Sequence, residues 1–177
     1  SVAIAKCCQN STVFTDVCIA SRTKSKCDAV KAKLEGTTTT KITTAEVDAM
    51  DVEALTALIK EYGPDVVLNL ALPYQNVAIM DACYNAGANY IDTATFEPED
   101  INDPDWRPIY EKRCEDLGFS AYFDYTWQWA YKEKYKEAGL TALLGCGFDP
   151  GVTNVFSAYA LKHYFDEIYT IDILDCN

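Results

Sequence analysis

Short apolar runs alternate with helical patterns along most of the chain, and this alternation constrains the fold more than any other feature. Strands are predicted at 17–22, 42–47, 65–72, 89–94, 140–147 and 169–175, and helices at 1–9, 25–34, 52–62, 76–86, 110–118, 127–139 and 150–164. Such alternation with short links is typical of βαβ units. The sequence therefore predicts an α/β fold, a Rossmann-like doubly wound parallel sheet.

Two further patterns refine this prediction. The run at 65–72 is a continuous apolar strand of the kind that is buried on both faces of a parallel sheet. The segment at 95–108 is acidic and contains three prolines, which predicts an irregular excursion over the surface. Asp51 is expected to be the N-cap of the helix at 52–62, which ends at Gly63.

Composition excludes several classes of protein. The net charge of −12 argues against nucleic acid or an anionic membrane as a partner. The sequence contains no apolar stretch long enough to span a membrane and no signal-peptide pattern at its beginning. The eight cysteines form no C-x-x-C pair, and with one histidine they predict no zinc site. We interpret them as reduced thiols in a cytoplasmic protein.

The beginning of the sequence lacks an element that the predicted fold requires. A dinucleotide-binding sheet begins with a strand and a glycine-rich loop, whereas this sequence begins with a helical pattern. We expect the first strand and its loop to be missing from the sequence, since a sheet without its central strand has two unpaired edges. The alternative is a complete small protein that starts with a helix.

A basic segment follows the strand at 17–22. Ser21, Arg22 and Thr23, with Lys24 and Lys26, form a positive patch at the position where an NAD-specific site carries an acidic residue. Arginine binds a phosphate in bidentate geometry, so the segment favours NADP over NAD. The alternative is a solvated first turn of a helix, although cations there oppose the helix dipole.

The stretch LLGCGFDPGVTN at 143–154 predicts a tight corner between a strand and a helix. Gly145 and Gly147 permit a positive φ or close backbone approach. Asp149 is expected to be the N-cap of the following helix, with Pro150 at its first position. This helix would direct its positive end toward a bound anion. An equally good interpretation is a capped helix whose glycines serve packing alone.

Three long segments resemble a known family. The segment GFDPGVTNVFSAYALKHYFDEIYTIDILDCN is similar to the end of the cofactor domain of the saccharopine dehydrogenase family. NLALPYQNVAIMDACYNAGANYIDTATFEPED and YTWQWAYKEKYKEAGLTALLGCGFDPG resemble its bacterial, carboxynorspermidine-forming branch. The resemblance implies that 1–165 is an incomplete NADP-binding domain and that 166–177 begins a substrate and dimerisation domain.

The resemblance also implies a reaction. A diamine, 1,3-diaminopropane or putrescine, condenses with aspartate β-semialdehyde, and NADPH reduces the resulting imine to carboxynorspermidine or carboxyspermidine. The full-length enzyme would be a homodimer. The present chain, without the glycine loop, is expected to bind NADPH weakly and to have no turnover.

Site residues follow from the resemblance by position. Ser21, Arg22 and Thr23 would hold the adenosine phosphate, and Asp51 with Val52 would border the adenine. Leu70, Ala71, Leu72 and Pro73 would line the path to the nicotinamide, with Asp92 and Thr93 close to the reaction. Asp149 and Gly151 would contact substrate. Asp51, Pro73, Asp92 and Asp149 also have local structural interpretations, as helix caps, a helix start or a turn.

The general acid or base is left open, with Asp92, Cys146 and Asp149 as candidates. A buried packing thiol is the commoner role for a residue such as Cys146. Aromatic residues at helical spacing are either amine contacts or core, the latter being more common. These residues are Trp127, Trp129, Tyr131 and Tyr135. We interpret His163 as structural.

Two other functions are compatible with the sequence. One is a saccharopine reductase or dehydrogenase, which forms the same C–N bond with different substrates. The other is a nucleotide-binding remnant without catalytic activity.

Overall fold

The computed structural model describes residues 2–100, 103–117 and 125–174. The chain consists of two compact units, Ser1–Pro64 and Asp65–Asn177. Each unit contains its own parallel sheet, of two strands in the first and three in the second. The predicted α/β class with parallel strands is thus confirmed. Within the described ranges, no hydrogen-bonded pair of strands joins the two sheets into one.

The first unit contains two strands and three helices. Their bounds are α1 Val2–Gln9, β1 Asp16–Ser21, α2 Lys24–Leu34, β2 Lys41–Glu46 and α3 Val52–Tyr62. Strand β1 pairs in parallel with β2, from Asp16 opposite Lys41 to Ser21 opposite Glu46. Ile4 and Cys8 of α1 pack with Ile42 of β2 in a small apolar core.

The second unit contains a three-stranded sheet in the order β3-β4-β5. The elements are β3 Val66–Leu68, a 3-10 turn Pro73–Gln75, α4 Asn76–Ala86, β4 Asn89–Ile91, α5 Arg107–Leu117, α6 Thr126–Trp129, α7 Lys132–Glu137, β5 Ala142–Leu143 and α8 Val152–His163. Its core includes Met80, Cys83, Tyr90 and Tyr135, all buried. In the described ranges, no helix is long and apolar enough to cross a membrane.

The strand predicted at 65–72 is much shorter in the structure, and the prediction that it is buried on both faces is wrong. Leu68, Leu70 and Leu72 are 44%, 57% and 58% exposed. The chain leaves the sheet after Asn69, whose N–H donates to Ile91 O at 2.7 Å. The Asn69 side chain then accepts the N–H of Ala71 at 2.9 Å, which turns the backbone away from the sheet.

Two other predicted elements also differ. The helix predicted at 127–139 is divided into α6 and α7, because the N–H of Tyr131 bonds three residues back to Gln128 O at 3.1 Å. The strand predicted at 169–175 is absent over 169–174, where the described chain has no strand partner; residue 175 lies outside the described ranges.

The predicted start of the last helix is also wrong. Helix α8 begins at Val152 with Gly151 as its N-cap, so Asp149 is not the cap and Pro150 is not its first residue. Gly151 forms an isolated bridge with Gly147, and its N–H donates to Asn154 Oδ1 at 2.9 Å. This pairing places the cap two residues later than the sequence predicts. The peptide bond between Asp149 and Pro150 is cis.

Candidate functional site

Five buried polar residues form a cluster at the carboxyl ends of β3 and β4. This Asp92 cluster consists of Asn69, Asn76, Tyr90, Asp92 and Gln128, each at most 4% exposed. The carboxyl ends of parallel strands are where such sheets bind ligands. Of the five, only Asp92 was predicted, since the others lie in patterns that indicate strand or helix and nothing more.

Asp92 accepts hydrogen bonds on both carboxylate oxygens. Its Oδ1 accepts the N–H of Gly145 at 2.6 Å, and its Oδ2 accepts Gln128 Nε2 at 2.6 Å and the Tyr90 hydroxyl at 3.0 Å. Its backbone O accepts the N–H of Cys146 at 2.8 Å. Asp92 therefore fixes the end of β4 to the segment that follows β5.

The other members of the cluster are also hydrogen-bonded. Asn69 Nδ2 donates to Asn76 Oδ1 at 2.8 Å and to the Tyr90 hydroxyl at 3.0 Å. Gln128 Oε1 accepts the N–H of Phe96 at 2.9 Å. Each side-chain bond to Asp92 is donated to it. A cluster whose donors converge on one side chain is suited to an ionised carboxylate at that position.

Burial and hydrogen bonding act in opposite directions on Asp92. Burial raises the pKa of the carboxyl group, and the bonds from Gly145, Gln128 and Tyr90 partly offset that rise. Burial and the Asp92 charge together raise the pKa of the Tyr90 hydroxyl, so that Tyr90 remains a donor at neutral pH.

The segment 145–151, here called the glycine corner, follows β5. Gly145 has φ +67°, and a Cβ at that position would collide with the Tyr125 hydroxyl. A Cβ at Gly147 would collide with the carbonyl oxygen of Thr93. The predicted positive φ is confirmed at Gly145, and the predicted close backbone approach is confirmed at Gly147.

Two side chains with ionisable groups lie at the glycine corner, Cys146 within it and Tyr125 against Gly145. Cys146 is exposed, so the interpretation as a buried packing thiol is wrong. Tyr125, which the sequence analysis did not select, is half-buried at Gly145. Burial raises the pKa of its hydroxyl, the Asp92 charge and Cys146 raise it further, and Thr95 lowers it. Asp149 Oδ1 accepts the Thr153 hydroxyl at 3.1 Å.

The predicted phosphate-binding segment lies at the carboxyl end of β1. Ser21 Oγ accepts the N–H of Thr23 at 3.2 Å, and Thr23 is the N-cap of α2 without a side-chain cap bond. Arg22 is exposed and forms no hydrogen bond or ion pair with the residues that the structure describes. An available guanidinium beside a helix N-terminus fits the adenosine phosphate of NADP. Lys24 is already paired with Asp28 at 2.9 Å.

The remaining predicted cofactor residues have local contacts. Asp51 Oδ1 accepts the N–H of Ala54 at 2.9 Å, which confirms its role as a helix cap. Leu70, Ala71 and Leu72 are exposed, and Pro73 begins the 3-10 turn. Thr93 is half-buried. The roles of these residues toward a cofactor stay predictions.

The predicted cofactor residues fall in both units. The first unit contains Ser21, Arg22, Thr23, Asp51 and Val52, and the second contains Leu70, Ala71, Leu72, Pro73, Asp92 and Thr93. Within the second unit, the structure brings Asp92, Thr93, Cys146, Asp149 and Gly151 to the carboxyl ends of β4 and β5. No group of three His, Cys, Asp or Glu side chains that could hold a metal occurs in the parts of the chain that are described.

The predicted aromatic amine contacts have different environments. Tyr135 is buried and donates to Met80 O at 2.8 Å, which makes it a core residue. The Lys134 ammonium lies 5.1 Å from the centre of the Tyr131 ring, so an internal cation already occupies that ring face. Trp127 packs against Trp106 with ring centres 5.0 Å apart, whereas Trp129 is exposed. His163 ends α8, with its ring 4.3 Å from that of Tyr159.

Comparison with known proteins gives a consistent result. Residues 1–143 match the sequence profile of the saccharopine dehydrogenase NADP binding domain. The carboxyaminopropylagmatine dehydrogenase of Synechocystis sp. is 49% identical over 93% of this chain and 36% of its own length. The carboxynorspermidine synthases of Vibrio alginolyticus and Vibrio cholerae are 43% and 41% identical, each over 97% of this chain and 39% of its own length.

A solved structure has a similar fold. Apo histidine-tagged saccharopine dehydrogenase (L-Glu forming) from Saccharomyces cerevisiae aligns with a TM-score of 0.55 and 14% identity, covering 88% of this chain and 28% of that one. The chain spans between 36% and 39% of the length of its curated relatives. The profile match covers most of the sequence, and the chain therefore belongs to the family of saccharopine dehydrogenase NADP binding domains.

Proposed function

We propose that the chain is the NADP-binding part of an enzyme that joins aspartate β-semialdehyde to an amine and reduces the product in polyamine biosynthesis. The main support is the 41% to 49% identity over nearly the whole chain to relatives named for such products. The amine nitrogen attacks the aldehyde carbon, a C–N bond forms and water leaves as the imine appears. Addition of a hydride and a proton then gives a secondary amine.

The amine is 1,3-diaminopropane or putrescine, with carboxynorspermidine or carboxyspermidine as the product. Agmatine is a third candidate amine, because the relative with 49% identity carries agmatine in its name. All three amines are cationic at neutral pH, and the acidic chain suits such substrates.

NADPH supplies the hydride. Ser21, Arg22 and Thr23 hold its adenosine phosphate, which the exposed and unpaired guanidinium of Arg22 supports within the described residues. Asp51 and Val52 border the adenine. Leu70 through Pro73 line the path to the nicotinamide, with Asp92 and Thr93 near the reacting carbon, and Asp149 and Gly151 contact the substrate. The boundary between a cofactor domain at 1–165 and a second domain from 166, a homodimer and a cytoplasmic location are part of the same proposal.

An assay of NADPH oxidation tests this function. It uses a polypeptide that spans the full length of the relatives. Aspartate β-semialdehyde should support oxidation with at least one of the three amines, and an Arg22→Ala variant should raise the KM for NADPH much more than that for NADH. The pairing of glutamate with the semialdehyde of aminoadipate serves as the saccharopine-type control. Activity with that pair alone would favour a saccharopine reductase, and no oxidation with any pair would favour the non-catalytic remnant.

A further inference from the structure

Asp92 is a buried carboxylate without a cation partner. It is fully buried and receives three hydrogen bonds, from Gly145, Gln128 and Tyr90. Among the described residues, no lysine, arginine or histidine forms an ion pair with it. Burying an unpaired carboxylate is unfavourable, and three hydrogen bonds offset only part of that cost.

The hydrogen bonds to Asp92 hold its carboxylate in one position. Gln128 is anchored at its other end by the N–H of Phe96, and the Tyr90 hydroxyl also accepts from Asn69. Gly145 is held by the strand-to-corner geometry, in which Cys146 N–H donates to Asp92 O. An anion held by oriented donors does not need to reorganise when a cation approaches, which is the condition for effective electrostatic stabilisation.

Asp92 lies directly behind the glycine corner, since the N–H groups of Gly145 and Cys146 donate to its side chain and its backbone. The Asp92 charge contributes to the raised pKa of Tyr125, whose half-buried hydroxyl lies against Gly145. Cys146, bonded to Asp92 through its backbone, is exposed. Tyr125 and Cys146, here called the Tyr125–Cys146 surface, are therefore solvent-accessible groups next to the buried carboxylate at the carboxyl ends of β4 and β5.

We propose that Asp92 is the fixed negative charge that favours a cationic reacting group, an alkylammonium or a protonated imine, at the Tyr125–Cys146 surface, and that it acts through the glycine corner without touching that group. The identity of the cation rests on the proposed function, whereas the negative potential at this surface does not.

The potential can be measured in the present chain with the Cys146 thiol as a probe. Two methanethiosulfonate reagents of similar size, trimethylammonioethyl and sulfonatoethyl, differ in the sign of their charge. The same thiolate attacks the sulfur of either reagent and displaces methanesulfinate, so the ratio of the two rates at Cys146 reports the local potential and not the thiolate fraction. Peptide mass spectrometry assigns the modification to Cys146 rather than to another thiol.

Asp92→Asn should lower the cation-to-anion rate ratio by about two orders of magnitude, because loss of the charge changes the two rates in opposite directions, each by roughly tenfold for one charge at about 10 Å in a medium of effective dielectric constant near 20. Tyr90→Phe removes a hydrogen bond and keeps the charge, so it should leave the ratio close to that of the wild type. Glu61→Gln, an exposed position of α3, controls for the change in net charge.

A second variant covers the case in which Asp92→Asn does not fold. Asp92→Asn combined with Gln128→Glu exchanges the donor and acceptor and keeps one negative charge in the cluster, so the ratio should return toward the wild-type value. The proposal is overturned if Tyr90→Phe lowers the ratio as much as Asp92→Asn does. It is equally overturned if Asp92→Asn and Glu61→Gln have the same effect, or if the double variant has a ratio as low as that expected for an uncharged cluster.

A kinetic measurement links this potential to the reaction. In the full-length polypeptide, Asp92→Asn should lower kcat/KM for the amine more than Tyr90→Phe does. If the polypeptide has no activity with any amine, the proposed function fails, and the thiol rate ratio still decides the role of Asp92.

Discussion

At the scale of single residues, the ends of β4 and β5 are joined by contacts that leave no space for a side chain at Gly147. A Cβ there would lie 3.1 Å from Pro150 O and 3.2 Å from the carbonyl carbon of Thr93, and closer still to its oxygen. All these neighbours are backbone atoms, which cannot rotate away as a side chain can. Glycine at position 147 therefore allows the backbone of Thr93 to lie against the glycine corner.

Gly147→Ala should therefore lower the free energy of unfolding by about 3 kcal/mol, at the upper end of the usual cost of overpacking. Gly36→Ala is the matched control, since its φ is +81° and its Cβ would meet open space. Its cost should be about 1 kcal/mol, from the left-handed backbone alone. Urea denaturation of both variants checks this, and equal losses would contradict the collision argument.

Asp92 makes a pH-dependent contribution to stability. Its pKa in the folded chain is above the reference value of 3.8, so the folded state binds more protons than the unfolded state between these two values. Stability from this group therefore falls as the pH rises through that window. The difference in unfolding free energy between the wild type and Asp92→Asn should decrease over the same range, as measured by urea denaturation at several pH values.

Asp28 provides a control of opposite sign. Hydrogen bonds from Lys24 and Thr44 lower its pKa below 3.8, so its contribution is present above that value and is lost as the pH falls through the folded-state pKa. The difference between the wild type and Asp28→Asn should therefore increase with pH. If both variants show the same trend, the assignment of the two shifts is incorrect.

At the scale of elements, two aspartates that look alike in sequence have different roles. Asp51 caps α3 through the N–H of Ala54, whereas Asp149 precedes α8 by three positions and its side chain accepts the Thr153 hydroxyl. Asp51→Ala should lower the free energy of unfolding by about 1 kcal/mol, the usual cost of losing an N-cap. Asp149→Ala should cost less than half of that. Thermal denaturation compares them, and an equal loss would restore Asp149 as a cap.

The starts of α3 and α8 also show which structural features local sequence patterns can predict. The type and order of the elements through β5 could be predicted, apart from the division of the helix at 127–139 into α6 and α7, because apolar periodicity and glycine stops such as Gly63 and Gly87 are local. The start of α8 could not, since it depends on a bridge between Gly147 and Gly151. The partners of Asp92 could not either, because Gln128 lies 36 positions away and reaches it only through the fold. Asp92 itself was found through resemblance.

At the scale of the whole molecule, α8 is a helix whose large apolar side chains are exposed. None of its residues is buried, and Val155 and Phe156 are 64% and 66% exposed. Exposed apolar residues in a continuous patch promote association. The chain alone should therefore self-associate as its concentration rises.

Sedimentation velocity at several concentrations tests this expectation. Replacing Val155 and Phe156 together by glutamine should shift the distribution toward the monomer, because glutamine keeps helix propensity and removes the apolar surface. Lys162→Gln, on the same helix, should leave the distribution unchanged. A chain that stays monomeric at all concentrations would show that α8 does not cause association.

The central position of β4 sets which part of the second unit opens last. The N–H of Tyr90 donates to Thr141 O at 2.9 Å and that of Asp92 to Leu143 O at 3.1 Å, and both side chains are fully buried. Such amides exchange with deuterium only when the whole surrounding unit opens, whereas those of exposed segments exchange through local fluctuations. The rate of exchange at these two amides therefore reports the global stability of the unit, without any added probe.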